Sequence, residues 1–188
     1  MTIYPNYKSS YRHLLMYGDG GHARSLCEII ECNNYGNIII TICGDEWKTS
    51  RNKSDKIVIG VGLLREHQKR TELFNGMKEI GYTFPNVIHK SAQIEDSAKL
   101  GVGVQVFANT VISSSVVIGD NCIINSGAII SHDCVLGDNV HAAPGAVLGG
   151  DVVVGSDTLL GIGCRVLPGV KICKNSFVRI GENVIANI

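Results

Sequence analysis

From Ile94 to Val184 an aliphatic side chain recurs at every sixth position. Of the sixteen residues in that frame, fifteen are Val, Ile or Leu, and Ala142 is the exception. A second frame of the same period runs from Ser97 to Asn187, and all sixteen of its members are Gly, Asn, Asp or Ser. The position four after each aliphatic is mostly small, as at Ala98, Thr110, Cys122, Ala128, Cys134 and Ala146. Gly, Asn and Asp tolerate positive φ and make turns. Aliphatic side chains demand burial. Each hexad therefore predicts a short inward-facing strand followed by a corner. Three sides close an 18-residue coil, and coils stack at strand spacing of about 4.8 Å. The result is a parallel β-helix of about five coils, occupying residues 87–188. A period of six fits no face of an α-helix.

The first half follows other periods. HLLMY (13–17), IIITI (38–42) and KIVIGVG (56–62) read as buried strands. ARSLCEIIECNN reads as one helix. LLREHQKRTELFNGMKEIGY reads as a second, with apolar Leu64, Leu73, Phe74, Met77 and Ile80. This β-α-β-β-α order predicts a three-stranded parallel sheet with helices against it, a Rossmann-like α/β subdomain over residues 13–86. The boundary with the β-helix is expected near FPNVIH. Residues 1–12 are polar, lack the apolar stretch of a signal peptide, and are expected to be an extension.

Composition refines this picture. Hydrophobic residues make up 45% but aromatics only 6%, so the core is aliphatic. Net charge is zero, which argues against nucleic acid or an anionic membrane surface as partner. No apolar run is long enough to span a bilayer. Seven cysteines without any C-x-x-C argue against a disulfide framework or a zinc knuckle, and fit buried thiols in the cytoplasm.

Two places carry candidate chemistry. The loop Gly18-Asp19-Gly20-Gly21-His22-Ala23 fits G-x-G-x-x-[GA] between a strand and a helix. Its N–H groups and the helix dipole can hold phosphate. Asp45 and Glu46 follow the second strand, where a ribose partner would stand. With so few residues available, a mononucleotide or sugar nucleotide fits better than a dinucleotide. The other place is SHDC (131–134), with His141 nine residues beyond His132. Nine residues is half a coil, so the two histidines should lie on different sides of one prism. Asn125 and His141 are sixteen apart and should lie on adjacent coils of one side.

A G-x-G-G-H opening followed by a hexapeptide helix carrying INSGAIISHDC resembles the sialic acid O-acetyltransferase-like family. That family includes N-acetyltransferases of nucleotide-linked 4-amino-dideoxy sugars in bacterial glycan synthesis. The resemblance covers roughly residues 13–178 and implies a left-handed helix. It further implies acetyl-CoA as co-substrate, no metal, and a homotrimer with active sites between subunits. By the same resemblance His132 is the general base, Asp133 orients it, and Asn125 completes the catalytic set. His141, Gly150, Gly161 and Ile162 are implied to lie along the acetyl-CoA channel. Gly18, Gly20, Gly21, His22, Asp45 and Glu46 are implied to lie on the sugar-nucleotide side. The chemistry would be direct acyl transfer to an amine, with an imidazole as proton acceptor. Three rivals stand beside it. One is O-acetylation of a sialic acid on the same fold. Another is a metal-dependent lyase of the γ-carbonic anhydrase type, which needs three converging histidines, whereas only His132 and His141 lie within the repeat. The third is a non-enzymatic scaffold.

Overall fold

The computed structural model describes residues 12–33, 37–48, 56–62 and 68–188. The expected extension up to residue 11, and Leu64 of the second helix, lie outside them. The chain divides into two compact units, Met1–Val87 and Ile88–Ile188, with the division inside the FPNVIH segment.

In the first unit, β1 (Arg12–Tyr17), β2 (Asn37–Ile42) and β3 (Lys56–Ile59) form a parallel sheet in the order β2-β1-β3. From Leu14 to Tyr17 the central strand β1 is buried on both faces, as its continuous apolar run requires. Leu15 and Tyr17 join Ile57, Ile59, Leu73, Phe74 and Met77 in one cluster, while Leu14 and Met16 are buried on the alternate face. Helix α1 (Gly21–Cys32) follows β1, burying Ala23, Leu26, Ile29 and Ile30. Helix α2 (Gln68–Glu79) ends earlier than its apolar pattern suggested, because the chain turns at Ile80-Gly81, where Gly81 takes φ +96°.

The second unit is a parallel β-solenoid of two-residue strands. One face runs from Val87–Ile88 to Phe177–Val178, the next from Gln93–Ile94 to Asn183–Val184, and the third from Lys99–Leu100 to Lys171–Ile172. Strands pair with partners 18 residues away, as in Ile123↔His141 and Ile129↔Val147. Both sequence frames are visible in the backbone. From Val106 to Val184 every member of the aliphatic frame is buried. From Gly103 to Gly181 every member of the turn frame has positive φ, between 56° and 74°. The left-handed conformation costs a residue with a Cβ about 1–2 kcal/mol, and Gly, Asn and Asp pay least. The third column, four after each aliphatic, fills the corners from inside. Thr110 donates its hydroxyl to the Asn125 carbonyl at 3.1 Å, and Cys122 and Cys134 donate their thiols to the Gly137 and Gly149 carbonyls, each at 3.1 Å. Polar side chains that face inward are thereby satisfied within the coil.

Candidate active site and a cavity in the first unit

His132 stands at the corner after strand Ile129–Ile130 and before Val135–Leu136, with its side chain in solvent. Its neighbour Asp133 occupies the left-handed corner at φ +61°, which turns the carboxylate back towards the ring. The two meet at 2.8 Å between His132 Nδ1 and Asp133 Oδ2. A carboxylate only accepts, so Nδ1 is the donor. In the neutral imidazole the lone pair is then on Nε2. This is the orientation a general base needs, with a carboxylate fixing the tautomer.

The His132 ring also lies against the next coil. The atoms nearest to a Cβ built on Gly150 are all His132 ring atoms, with Nε2 at 2.5 Å and Cε1 closer still.

Asn125 and His141 lie on neighbouring coils of the first face, as their spacing implied. Asn125 Nδ2 is 3.2 Å from His141 Nε2. Asn125 Oδ1 accepts the Ser126 N–H at 2.8 Å, which fixes the amide orientation. The NH2 group therefore faces the imidazole, His141 accepts at Nε2, and its proton is on Nδ1. His141 is buried and projects from the strand His141–Ala142. The two histidines thus have separate partners on different sides of the prism. Gly161 is enclosed, with the main chain of Val178 and Arg179 where a Cβ would go, while Ile162 is exposed.

The cysteines are free thiols. Burial pushes Cys164 up to about 11 and raises Cys134 as well, so neither is a thiolate nucleophile at neutral pH. Among the described residues no group of three His, Cys, Asp or Glu side chains is placed to hold a metal ion.

The first unit holds a cavity of about 390 Å³, lined by Tyr17, the loop Gly18–His22, Cys43, Gly44, Gly60–Gly62 and Lys69. Gly18 takes φ +99°, a conformation that excludes other residues at the end of β1. Gly20 is the N-cap of α1 in extended backbone, and a Cβ there would meet nothing within 4 Å. No acidic residue occupies the first turn of α1, so its N-terminal dipole is uncompensated. His22 lies in the first turn of α1 and also lines the cavity. The acidic pair is engaged locally. Asp45 pairs with Lys48 at 2.9 Å, Glu46 Oε2 accepts the Cys43 N–H at 3.4 Å, and the wall beside them is Cys43 and Gly44.

Several residues of this cavity went unnoticed in the sequence. A Cβ on Gly60 would stand 2.6 Å from Ala23 Cβ and 2.8 Å from the Tyr17 carbonyl oxygen. Gly60 thus lets α1 settle onto the sheet, and it explains why the loop motif ends in a small residue. Arg70 of α2 is buried and donates Nη1 to the carbonyls of Ile59 at 2.9 Å and Val61 at 2.7 Å. It fastens the wall that runs through Gly60–Gly62. A G-x-G after the third strand was the available signal for the glycines. Nothing local marks Arg70.

The bacterial transferase hexapeptide (six repeats) family matches residues 115–150. Among solved structures, the chain is similar to PerB from Caulobacter crescentus in complex with CoA and GDP-perosamine. The two are 30% identical over 94% of this chain and 90% of that one, with a TM-score of 0.83. A mutant of GDP-perosamine N-acetyl transferase from Caulobacter crescentus, in complex with CoA and GDP-perosamine, is 28% identical, with the same coverage and TM-score. The acetyltransferase domain of PglB from Neisseria gonorrhoeae shares the fold at 24% identity, over 94% of this chain and 93% of that one, with a TM-score of 0.88. No curated protein sequence matches the chain. With the hexapeptide signature, the solenoid and full-length likeness to PerB together, the chain belongs to the hexapeptide-repeat acyltransferases of the nucleotide-linked amino-sugar N-acetyltransferase family and is an acetyltransferase.

Proposed function

We propose that the chain moves the acetyl group of acetyl-CoA to the amine of a nucleotide-linked 4-amino-dideoxy sugar in bacterial glycan biosynthesis. The observation that carries this reading is the exposed His132–Asp133 pair, set in a chain alike from end to end to a protein bound to CoA and GDP-perosamine. His132 Nε2 takes the proton of the acceptor amine as its nitrogen bonds to the acetyl carbon. The C–S bond breaks, and the departing thiolate receives the proton. Asp133 holds the ring and stabilises the imidazolium in between. Asn125 and His141 serve the acetyl thioester, and Gly150, Gly161 and Ile162 line the coenzyme channel. No covalent acyl-enzyme is required.

The first unit is read as a Rossmann-like domain, residues 13–86, that receives the sugar nucleotide. Its phosphates would lie at Gly18, Gly20, Gly21 and His22, against the uncompensated end of α1. Asp45 and Glu46 remain the proposed ribose partners. Valine at position 20 is compatible with the extended backbone there and has free space, so the fold should tolerate it. The isopropyl group would then intrude on the cavity. Gly20→Val should raise the acceptor KM by about tenfold, ~1.4 kcal/mol of lost binding, and leave the acetyl-CoA KM unchanged. A rise in the coenzyme KM instead would reverse the assignment of the two ends.

His132 and His141 face different sides of one prism, so a shared site requires prisms packed side by side. The proposed assembly is a homotrimer with each site between subunits. Val117, Ile129 and Val135 point outward around the His132 corner and are about 40% exposed, as an unpaired subunit face would be. Sedimentation at micromolar concentration should give three times the 20.2 kDa chain mass. A stable, active monomer would refute the shared site. No described helix is long and apolar enough to cross a membrane. The free thiols fit a cytoplasmic location, which belongs to the same reading.

The deciding assay follows thiol release from acetyl-CoA across a panel of nucleotide-linked amino sugars, with free and CMP-linked sialic acids as hydroxyl acceptors. Turnover is expected with the amino sugars. Turnover confined to sialic acids would replace this reading with O-acetylation.

A further inference from the structure

Residues at 18-residue steps from His132 form one column of corners: Ser114, His132, Gly150, Pro168 and Ala186. The main chain locks this column coil to coil. Asp133 N–H donates to the Ser114 carbonyl, Asp151 N–H to that of His132, and Gly169 N–H to that of Gly150, at 2.9–3.0 Å. Every member except Gly150 carries a Cβ, so the corner geometry itself does not require glycine. Gly150 does not have positive φ either. Other solenoid glycines have a different cause. A Cβ on Gly119, Gly137, Gly155 or Gly161 would run into main-chain atoms of the following coil. At Gly150 the three nearest atoms all belong to the His132 ring, with Nδ1, the atom bonded to Asp133, at 3.1 Å. The space that a Cβ would take is met first by the imidazole.

We propose that Gly150 is a positioning residue for acetyl transfer. Its bare Cα leaves the berth in which the His132 ring rests, and that berth holds Nδ1 on Asp133 and sets the direction of Nε2. This rests on the reading of His132 as the base. A methyl group at position 150 cannot share the space with the ring. The ring is exposed and turns about its own χ angles, so it yields where main chain could not. Fold and stability should therefore survive the substitution, and the geometry of the base should not.

Gly150→Ala should keep the wild-type mass in solution and circular dichroism. Nitrogen-15 NMR of the imidazoles in the ligand-free protein, with the His132 signal assigned from its loss in His132→Ala, reads the berth directly. The wild type should show one tautomer with the proton on Nδ1, and Gly150→Ala should show loss of that preference. An unchanged His132 signal in Gly150→Ala would overturn the proposal. Kinetics then test the consequence, with acetyl-CoA and the best acceptor of the panel. A misplaced base costs up to about 10²-fold, and kcat should fall on that scale with the acetyl-CoA KM within about twofold. In the His132→Ala background the same substitution should cost nothing further. Additive losses, or a rise in the coenzyme KM alone, would leave Gly150 as a residue of the coenzyme channel only and overturn the positioning role. Full activity of His132→Ala would instead defeat the base reading, while the tautomer measurement still decides whether Gly150 seats the ring.

Discussion

Replacing His132 with alanine should lower kcat by about 10²–10⁴-fold, the usual worth of a positioned general base. Assembly and both KM values should stay near wild type, because the side chain is exposed at a corner and adds nothing to the core. The pH profile supplies the sign. A base works unprotonated, so wild-type kcat/KM should fall as pH drops through the ionisation of the imidazole. The alanine variant should lack that acid limb. Asp133→Asn is the informative companion. Asparagine tolerates the φ of +61° at this corner, so the coil is retained and only the charge is lost. Its kcat should fall by less than that of His132→Ala, since the imidazole remains and loses only its anchor. Rates within twofold of wild type for His132→Ala would remove the assignment, and His141 or His22 would become the next candidate.

The solenoid was legible because each of its determinants is local. A corner needs a residue that accepts positive φ, and the six-residue spacing names that residue without reference to any other part of the chain. The run of positive φ from Gly103 to Gly181 falls on the turn frame throughout. The same arithmetic brought Asn125 to His141, since both positions are fixed by a coil length of 18. Placing His132 and Asp133 side by side needed only that they be adjacent and at a corner. The arrangement of His132 against Gly150 was not legible, although the two are one coil apart. It depends on which rotamer the imidazole takes, and no period encodes a rotamer. In the first unit the motif Gly18–Ala23 marked one wall of the cavity. The adjoining wall, Gly60–Gly62 with Lys69, comes from the segment after β3 and from α2, and only folding brings it against the loop. Asp45 and Glu46 show the reverse limit. Their position after β2 suggested a ligand, but sequence could not reveal Lys48 and the Cys43 N–H as their immediate partners.

Arg70 provides the other large expected effect. It is 1% exposed, and one nitrogen serves the carbonyls of Ile59 and Val61. Those carbonyls bracket Gly60 at the point where β3 leaves the sheet and becomes cavity wall. Arg70→Met keeps most of the apolar stem and removes the donors. Each hydrogen bond from a charged donor is worth about 1.5–3 kcal/mol, and leaving a buried carbonyl unpaired is unfavourable in its own right. Part of this is offset, because a buried guanidinium no longer has to be stripped of water. A net loss of roughly 2–3 kcal/mol is expected, read as earlier unfolding in denaturant. The functional readout separates a positioning role from a merely structural one. With the wall released, the acceptor KM should rise by about tenfold, while kcat and the acetyl-CoA KM change little, because the proposed base and the proposed coenzyme channel belong to the solenoid. Arg70→Lys should lie between the two, since an ammonium keeps a charged donor but on a shorter stem than the one that carries Nη1 to both carbonyls. A loss of stability with the acceptor KM unchanged would leave Arg70 as a core residue only. The cavity would then have to be shaped by its glycines without help from α2.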